Sequence, residues 1–179
     1  VKTITIAAYN RPRNLRRLIR SLNRQTTTSG WGRVVVRIDG GGDKRAEVER
    51  EAMRLTALPT DVICVNQNVG INRNTYGAMA WAFDRLCADW NLYLEDDLEL
   101  SPDALALCDW FIDSHEYIRS VYTDVVSLCL FNPRGCGDPC AVTASRRFTG
   151  WGFLMSRESW HNYARPAWFA CEPAMWDNC

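Results

Sequence analysis

Trp90-Asn91-Leu92-Tyr93-Leu94-Glu95-Asp96-Asp97-Leu98-Glu99-Leu100 is a mostly apolar run that breaks into three consecutive acids, with Glu99 close behind. Trp90 to Leu94 reads as a buried strand. Ser101-Pro102-Asp103 follows it and starts a helix. Acids at the carboxyl end of a central strand stand where open α/β sheets bind their ligands. Adjacent carboxylates repel one another, so Glu95, Asp96 and Asp97 persist together most easily where a cation or a web of donors holds them. Oxygen ligands of this kind suit Mg²⁺ or Mn²⁺, and one or two carboxylates suffice when phosphates and water complete the shell. The competing reading is an acidic loop or a helix cap.

The segments around this strand repeat its pattern. Lys2 to Ala8 alternates and is rich in Ile and Thr, a first strand. Leu15, Leu18, Ile19 and Leu22 fall at helical spacing, which predicts an amphipathic helix from Arg13 to Arg24. Arg33 to Ile38 is a β-branched second strand ended by Asp39 and Gly40-Gly41-Gly42. Asp43 is placed to cap a helix from Lys44 to Leu55, and Asp61 to Val65 is a third strand. Asn72 to Ala88 reads as a helix leading into the fourth strand, Trp90 to Leu94. A helix from Pro102 to Ser114 and a fifth strand from Asp124 to Leu130 come next. Phe148 to Met155 is an aromatic, glycine-broken segment running into a short strand, and Ser156 or Arg157 leads a short helix around Trp160. Strands alternating with helices argue for an α/β fold with a mostly parallel sheet covered on both faces.

A chain of 179 residues is one domain by length and can bury a core without cysteine staples. Lys plus Arg equals Asp plus Glu at 21 each, so no global basic field argues for nucleic acid or a membrane surface. No apolar stretch is long enough to span a bilayer, and no signal peptide is visible. The chain starts without Met inside a strand pattern and stops at Cys179, directly after a motif; a domain cut short at its carboxyl end is expected, so a missing targeting signal carries no weight. Arg11, Arg13, Arg16, Arg17, Arg20 and Arg24 crowd the first helix, as a solvated face or as a phosphate-attracting one. Of the eight cysteines, Cys136 and Cys140 form a loop pair able to close a local disulfide, and a zinc site would need two more ligands where only His115 and His161 are available. Both histidines read as surface residues.

Further candidates follow the strand ends. Asp39 can accept hydrogen bonds from a base or ribose, or serve turn and cap chemistry beside its glycines. Gly40-Gly41-Gly42 lacks the Gly-x-Gly-x-x-Gly spacing and gives little support to a dinucleotide fold. Arg11, in Asn10-Arg11-Pro12-Arg13, can approach a pyrophosphate or stack on a base. Asn68-Val69-Gly70-Ile71-Asn72-Arg73-Asn74 feeds a helix start, which favours anions, and Arg73 adds a charged donor there. Trp151, in Gly150-Trp151-Gly152, and Trp176, beside Asp177, have faces that pack on sugar rings, although by spacing alone Trp151 reads as core. No Ser-His-Asp or Cys-His nucleophile arrangement stands out.

Together these pieces resemble the GT-A class of nucleotide-sugar glycosyltransferases, and within it the family of N-acetylglucosaminyltransferase I and protein O-mannose N-acetylglucosaminyltransferase. The resemblance rests on Glu95-Asp96-Asp97-Leu98-Glu99 with Ser101-Pro102-Asp103, on Gly150-Trp151-Gly152-Phe153-Leu154, and on Trp176-Asp177, in that order. Ile-Ala-Ala-Tyr-Asn-Arg-Pro, ending at Pro12, fits the first nucleotide-binding strand and loop. It implies a single catalytic domain over 1–179, with a donor-binding part to about residue 100 and an acceptor part beginning after it. It implies an inverting enzyme that takes a UDP-sugar, UDP-GlcNAc first, with Mn²⁺, and a glycan or glycoprotein hydroxyl as acceptor. Asp97 would then be the metal ligand, and Glu95 and Asp96 would contact the ribose or sugar and order the loop. Asp39 would meet the uracil, Arg11 the nucleotide, and Trp151 and Trp176 the sugar. Asp177 would be the general base opposite the leaving diphosphate. The Golgi lumen is the implied compartment in a eukaryote, the cytoplasm otherwise. Two rivals share the acids: a nucleotide-sugar or carbohydrate-binding domain without catalysis, and a metal-dependent nucleotidyltransferase.

Overall fold

The computed structural model describes residues 1–131 and 141–168. A six-stranded sheet with the order β3-β2-β1-β4-β6-β5 forms its centre. The strands are β1 (Lys2–Ala8), β2 (Trp31–Ile38), β3 (Thr60–Cys64), β4 (Trp90–Glu95), β5 (Ser127–Cys129) and β6 (Phe153–Ser156). β1 to β4 are mutually parallel, whereas β6 runs antiparallel to β4 and β5 antiparallel to β6. The strand order reverses between β1 and β4, and such a switch point opens a crevice at the carboxyl ends of the strands.

Register makes that edge level. Ala8 pairs with Ile38, and Ala7 with Glu95. Tyr9, Asp39 and Asp96 therefore leave their strands side by side. Ile4 and Ile6, with Val34, Val36, Leu92 and Leu94, bury one face of the sheet under α1 (Pro12–Leu22), α2 (Arg45–Ala52) and α4 (Ala104–Asp113). The helix α3 (Gly70–Ala80) covers the other face, together with π-helical turns at Trp81–Arg85 and Trp160–Ala164. Those turns meet through Phe83 and Trp160, whose rings stack 5.7 Å apart. The short helices α6 (Arg157–Ser159) and α7 (Arg165–Trp168) flank the second π-turn.

Several expectations change. Asp43 does not cap α2. Lys44 enters that helix without a side-chain cap, and Asn10 braces the turn before it, accepting from the Lys44 amide at 2.7 Å and donating to Asp43 at 2.5 Å. The fifth strand shortens to Ser127–Cys129 because only those residues pair with β6. The helix after β4 stops at Asp113 and restarts as α5 (His115–Val121). That break turns His115 inward: it is 9% exposed, edge-on to Trp90 at 4.8 Å and beside Phe111 at 5.6 Å. It is not a surface residue. Burial, and next the Arg119 charge, push its pKa down from 6.5. His161 is exposed, as expected. No described helix is long and apolar enough to cross a membrane.

Candidate functional site

The β1–α1 loop and the turn after β4 meet at the switch point. Pro12 occupies the first turn of α1, where its missing N–H costs nothing, and Arg11 is the residue that enters it. Asn14 and Leu15 amides donate to the Arg11 carbonyl at 3.1 Å each, so its backbone is fixed while its side chain is free to reach β4. That guanidinium bridges two acids, 2.6 Å from Asp96 Oδ1 and 2.8 Å from Asp97 Oδ2.

The acids of the turn part ways. Asp96 is fully buried, and its Oδ2 accepts from the Tyr9 amide at 3.0 Å, so it ties the β1–α1 loop to β4. Desolvation raises its pKa against the lowering effect of the Tyr9 amide and Arg11. Burial also pushes Glu95 up, and the neighbouring Asp97 charge adds to it. Asp97 is the open one, with a side chain 40% exposed. Glu99 turns away to Arg17 at 2.9 Å and Arg24 at 3.7 Å. The Arg11–Asp97 contact is solvent-facing on both sides and contributes at most about 1 kcal/mol. Breaking the Arg11–Asp96 pair is costlier, because it leaves a buried carboxylate uncompensated.

Asp39 is 4% exposed. Its Oδ1 accepts from the Gly40 and Val69 amides at 2.9 Å, and its Oδ2 from Gly70 at 3.1 Å. It thus fixes the turn that starts α3, satisfying amides that the helix itself leaves unpaired. A carboxylate has about four acceptor positions, so one on Oδ2 stays open. Arg73 is exposed on α3 and lines neither cavity described below.

Two cavities flank the acidic turn. The first, about 300 Å³, is walled by Tyr9, Arg11, Asn68, Gly70, Asn74 and Glu95, with Asp97 at its rim. Asn74 is 2% exposed and donates to the carbonyls of Ala8 and Arg37 at 3.4 Å, while its Oδ1 has no partner. A buried acceptor left open in a cavity wall suits a ligand donor. The second cavity, about 340 Å³, is lined by Glu95, Asp97, Leu98, Phe131 and Trp151. Trp151 is 52% exposed and meets Phe131 edge-on at 5.1 Å, so it is a wall of this cavity rather than core. Glu95 and Asp97 belong to both cavities.

The acidic turn and the first cavity, at the switch point of an α/β sheet, fall inside residues 3–121, which match a known family over more than half of the chain. The chain belongs to glycosyl transferase family 2. No curated protein matches it. Among solved structures, the mannosyltransferase PcManGT from Pyrobaculum calidifontis, in complex with GDP-Man and Mn²⁺, is 17% identical with a TM-score of 0.62, over 89% of this chain and 45% of that one. S. aureus TarS 1-349 in complex with UDP-GlcNAc is 20% identical with a TM-score of 0.53, over 64% of this chain and 32% of that one. At such identity the likeness concerns the fold, which is that of GT-A glycosyltransferases. The chain spans less than half the length of either relative.

In this family 2 domain, no group of three His, Cys, Asp or Glu side chains able to hold a metal by itself occurs among the described residues. The donor set still fits a hard divalent cation shared with a ligand: one open carboxylate, Asp97, at the rim of a cavity, already holding a cationic group in Arg11. The first-helix arginines divide as their neighbours dictate. Arg16 forms a two-point pair with the buried Glu51 at 3.0 and 2.6 Å, lowering the Glu51 pKa chiefly by hydrogen bonding. Cys64, Cys87, Cys108 and Cys129 are free thiols. Trp176, Asp177 and the Cys136–Cys140 pair lie outside the described residues. Phe131 is a cavity residue that the pattern alone did not single out, and Asn74 figures there only as the end of the Asn68 to Asn74 helix start, with Arg73 as its charged donor. Asn74 sits inside a helix whose polar positions look alike in sequence, whereas Phe131, an aromatic just past a strand end, carried a readable signal.

Proposed function

We propose that this domain transfers a sugar, GlcNAc in the first instance, from a UDP-sugar to a hydroxyl of a glycan or glycoprotein acceptor, with inversion and with Mn²⁺ or Mg²⁺. The observation that carries the reading is the sharing of Glu95 and Asp97 by two adjoining cavities at the sheet's switch point. One cavity takes the nucleotide and the other the sugar and acceptor, with the diphosphate between them. The finer likeness to the N-acetylglucosaminyltransferase I family, on the acidic, Gly-Trp-Gly and Trp-Asp motifs, supports UDP-GlcNAc over other donors. TarS, whose complex holds UDP-GlcNAc, is consistent with it, while PcManGT, bound to GDP-Man, keeps GDP-mannose as the competing donor.

In this reading Asp97 holds the metal, which neutralises the leaving diphosphate when bound. Asp96 keeps the β1–α1 loop in place and Glu95 faces the ribose or sugar. Asp39 offers its open Oδ2 position to the uracil N–H, and Arg11 and Arg73 supply positive charge to the phosphates. Trp151 and Trp176 pack on the sugar or acceptor ring. Asp177 takes the acceptor hydroxyl proton, on the side of the sugar opposite the departing diphosphate.

The test is product release with UDP-GlcNAc, Mn²⁺ and a hydroxyl acceptor. Release of UDP with a glycosylated acceptor is expected; pyrophosphate from a nucleoside triphosphate would mark a nucleotidyltransferase instead. Asp177→Asn should lower turnover about 10²- to 10⁴-fold, the usual size of a general-base contribution, with donor affinity unchanged. Wild-type turnover in that variant would remove Asp177 from the mechanism.

A further inference from the structure

The guanidinium of Arg11 stands where a cation bridging the acidic turn would stand. It touches Asp96 Oδ1 at 2.6 Å and Asp97 Oδ2 at 2.8 Å, and it also lines the first cavity. Asp97 thus already has a positive partner. A divalent metal held by Asp97 would lie beside that guanidinium, and like charges so close repel appreciably. The two cations compete for one carboxylate. The Arg11 side chain is 47% exposed, while its backbone is pinned by the first turn of α1, so its guanidinium can leave the open Asp97 with the loop still held.

We propose that Arg11 is the resident counter-cation of the acidic turn, and that a nucleoside diphosphate entering the first cavity draws it off Asp97 and opens that carboxylate to the metal. The inference rests on the reading of Asp97 as a metal ligand and adds an order to it: the metal binds weakly to the empty protein and tightly with the nucleotide. The diphosphate gives Arg11 a doubly charged partner within its reach, and Asp96 remains tied to the Tyr9 amide throughout. By linkage, the metal strengthens nucleotide binding by the same factor as the nucleotide strengthens metal binding.

The experiment is a Mn²⁺ titration followed by the paramagnetic resonance of free Mn²⁺, on wild type, Arg11→Gln, Arg11→Ala and Arg11→Lys, without nucleotide and with saturating UDP or, in a parallel arm, GDP. Removing the competing charge should tighten nucleotide-free Mn²⁺ binding about five- to tenfold in the Gln and Ala variants. The tightening brought by the nucleotide should shrink in the same two. Arg11→Lys keeps the charge and should stay near wild type. Equal nucleotide-free affinity in wild type and both neutral variants, with Mn²⁺ still bound in the presence of nucleotide, overturns the counter-cation role and leaves the metal ligand standing. A Lys variant that behaves like Gln overturns it as well, since the effect would then be one of loop shape. No Mn²⁺ binding by any of the four proteins, with UDP or with GDP, removes the metal reading and this inference together.

Discussion

His115 sits between Trp90 and Phe111, with Arg119, Glu116 and Glu158 as the charges around it. Its folded pKa lies below 6.5, chiefly through burial. The folded protein therefore favours the neutral imidazole. Above pH 6.5 both states are neutral and the contribution to stability is fully present. As pH falls through 6.5 the unfolded chain binds the proton first, and stability declines until the folded pKa is passed. Denaturant unfolding between pH 7.5 and 5 should show this fall, and His115→Phe should flatten it. An unchanged slope in the variant would place the titrating group elsewhere. At the same scale, the acids show what a sequence conveys. Glu95-Asp96-Asp97 at a strand end was legible as a candidate site, because three adjacent carboxylates need a partner. That Asp96 would be buried on the Tyr9 amide, and Asp97 left open, was not. Both facts depend on the β1–β4 register. Trp151 reads as core by spacing alone, yet it walls the second cavity beside Phe131, a placement set by where β6 joins the sheet.

Among the elements, the β2–α2 turn shows why a glycine run need not be a phosphate loop. Two of its glycines answer to neighbours distant in sequence, and the third to its backbone angle. A Cβ on Gly40 would lie 2.5 Å from the Gln67 amide nitrogen, and one on Gly42 would lie 2.8 Å from Asn10 Oδ1. Gly41 has φ +78, a left-handed conformation that glycine adopts freely. Gly40 lets the end of β2 lie flat against the loop whose Val69 and Gly70 amides bond Asp39. Gly40→Ala meets backbone there and must push that loop away. It should cost about 2–3 kcal/mol from overpacking and lost hydrogen bonds, lowering the thermal midpoint by about 4–12 °C in a domain of this size. A midpoint within a degree of wild type would show that the loop is held by something else. The parallel strands and their helices were legible because hydrophobic period and β-branched runs are local properties. The bracing of the Lys44 amide by Asn10 was not, because Asn10 lies on another loop.

On the scale of the molecule, the parallel half of the sheet follows from strands alternating with helices. The antiparallel half does not. β6 comes last among the strands yet inserts between β4 and β5, pairing Leu92 with Leu154 and Leu128 with Leu154. A four-residue strand gives no local sign of which edge it joins. That insertion carries the chain past Trp151 and brings it beside Phe131, which forms the second cavity next to the first. The site is thus a product of topology: two cavities on one acidic turn, each walled by segments far apart in sequence. The most direct test of the account is the thermal midpoint of wild type and Asp97→Ala in UDP-GlcNAc, other UDP-sugars and GDP-mannose, each with Mn²⁺ and with chelator. Ligand at a hundred times its Kd adds about 2.7 kcal/mol to the native state, or a rise of about 5–10 °C. That rise is expected for wild type with UDP-GlcNAc and Mn²⁺, and its loss with chelator or with Asp97→Ala. No rise with any nucleotide sugar, or an equal rise in Asp97→Ala, would contradict it.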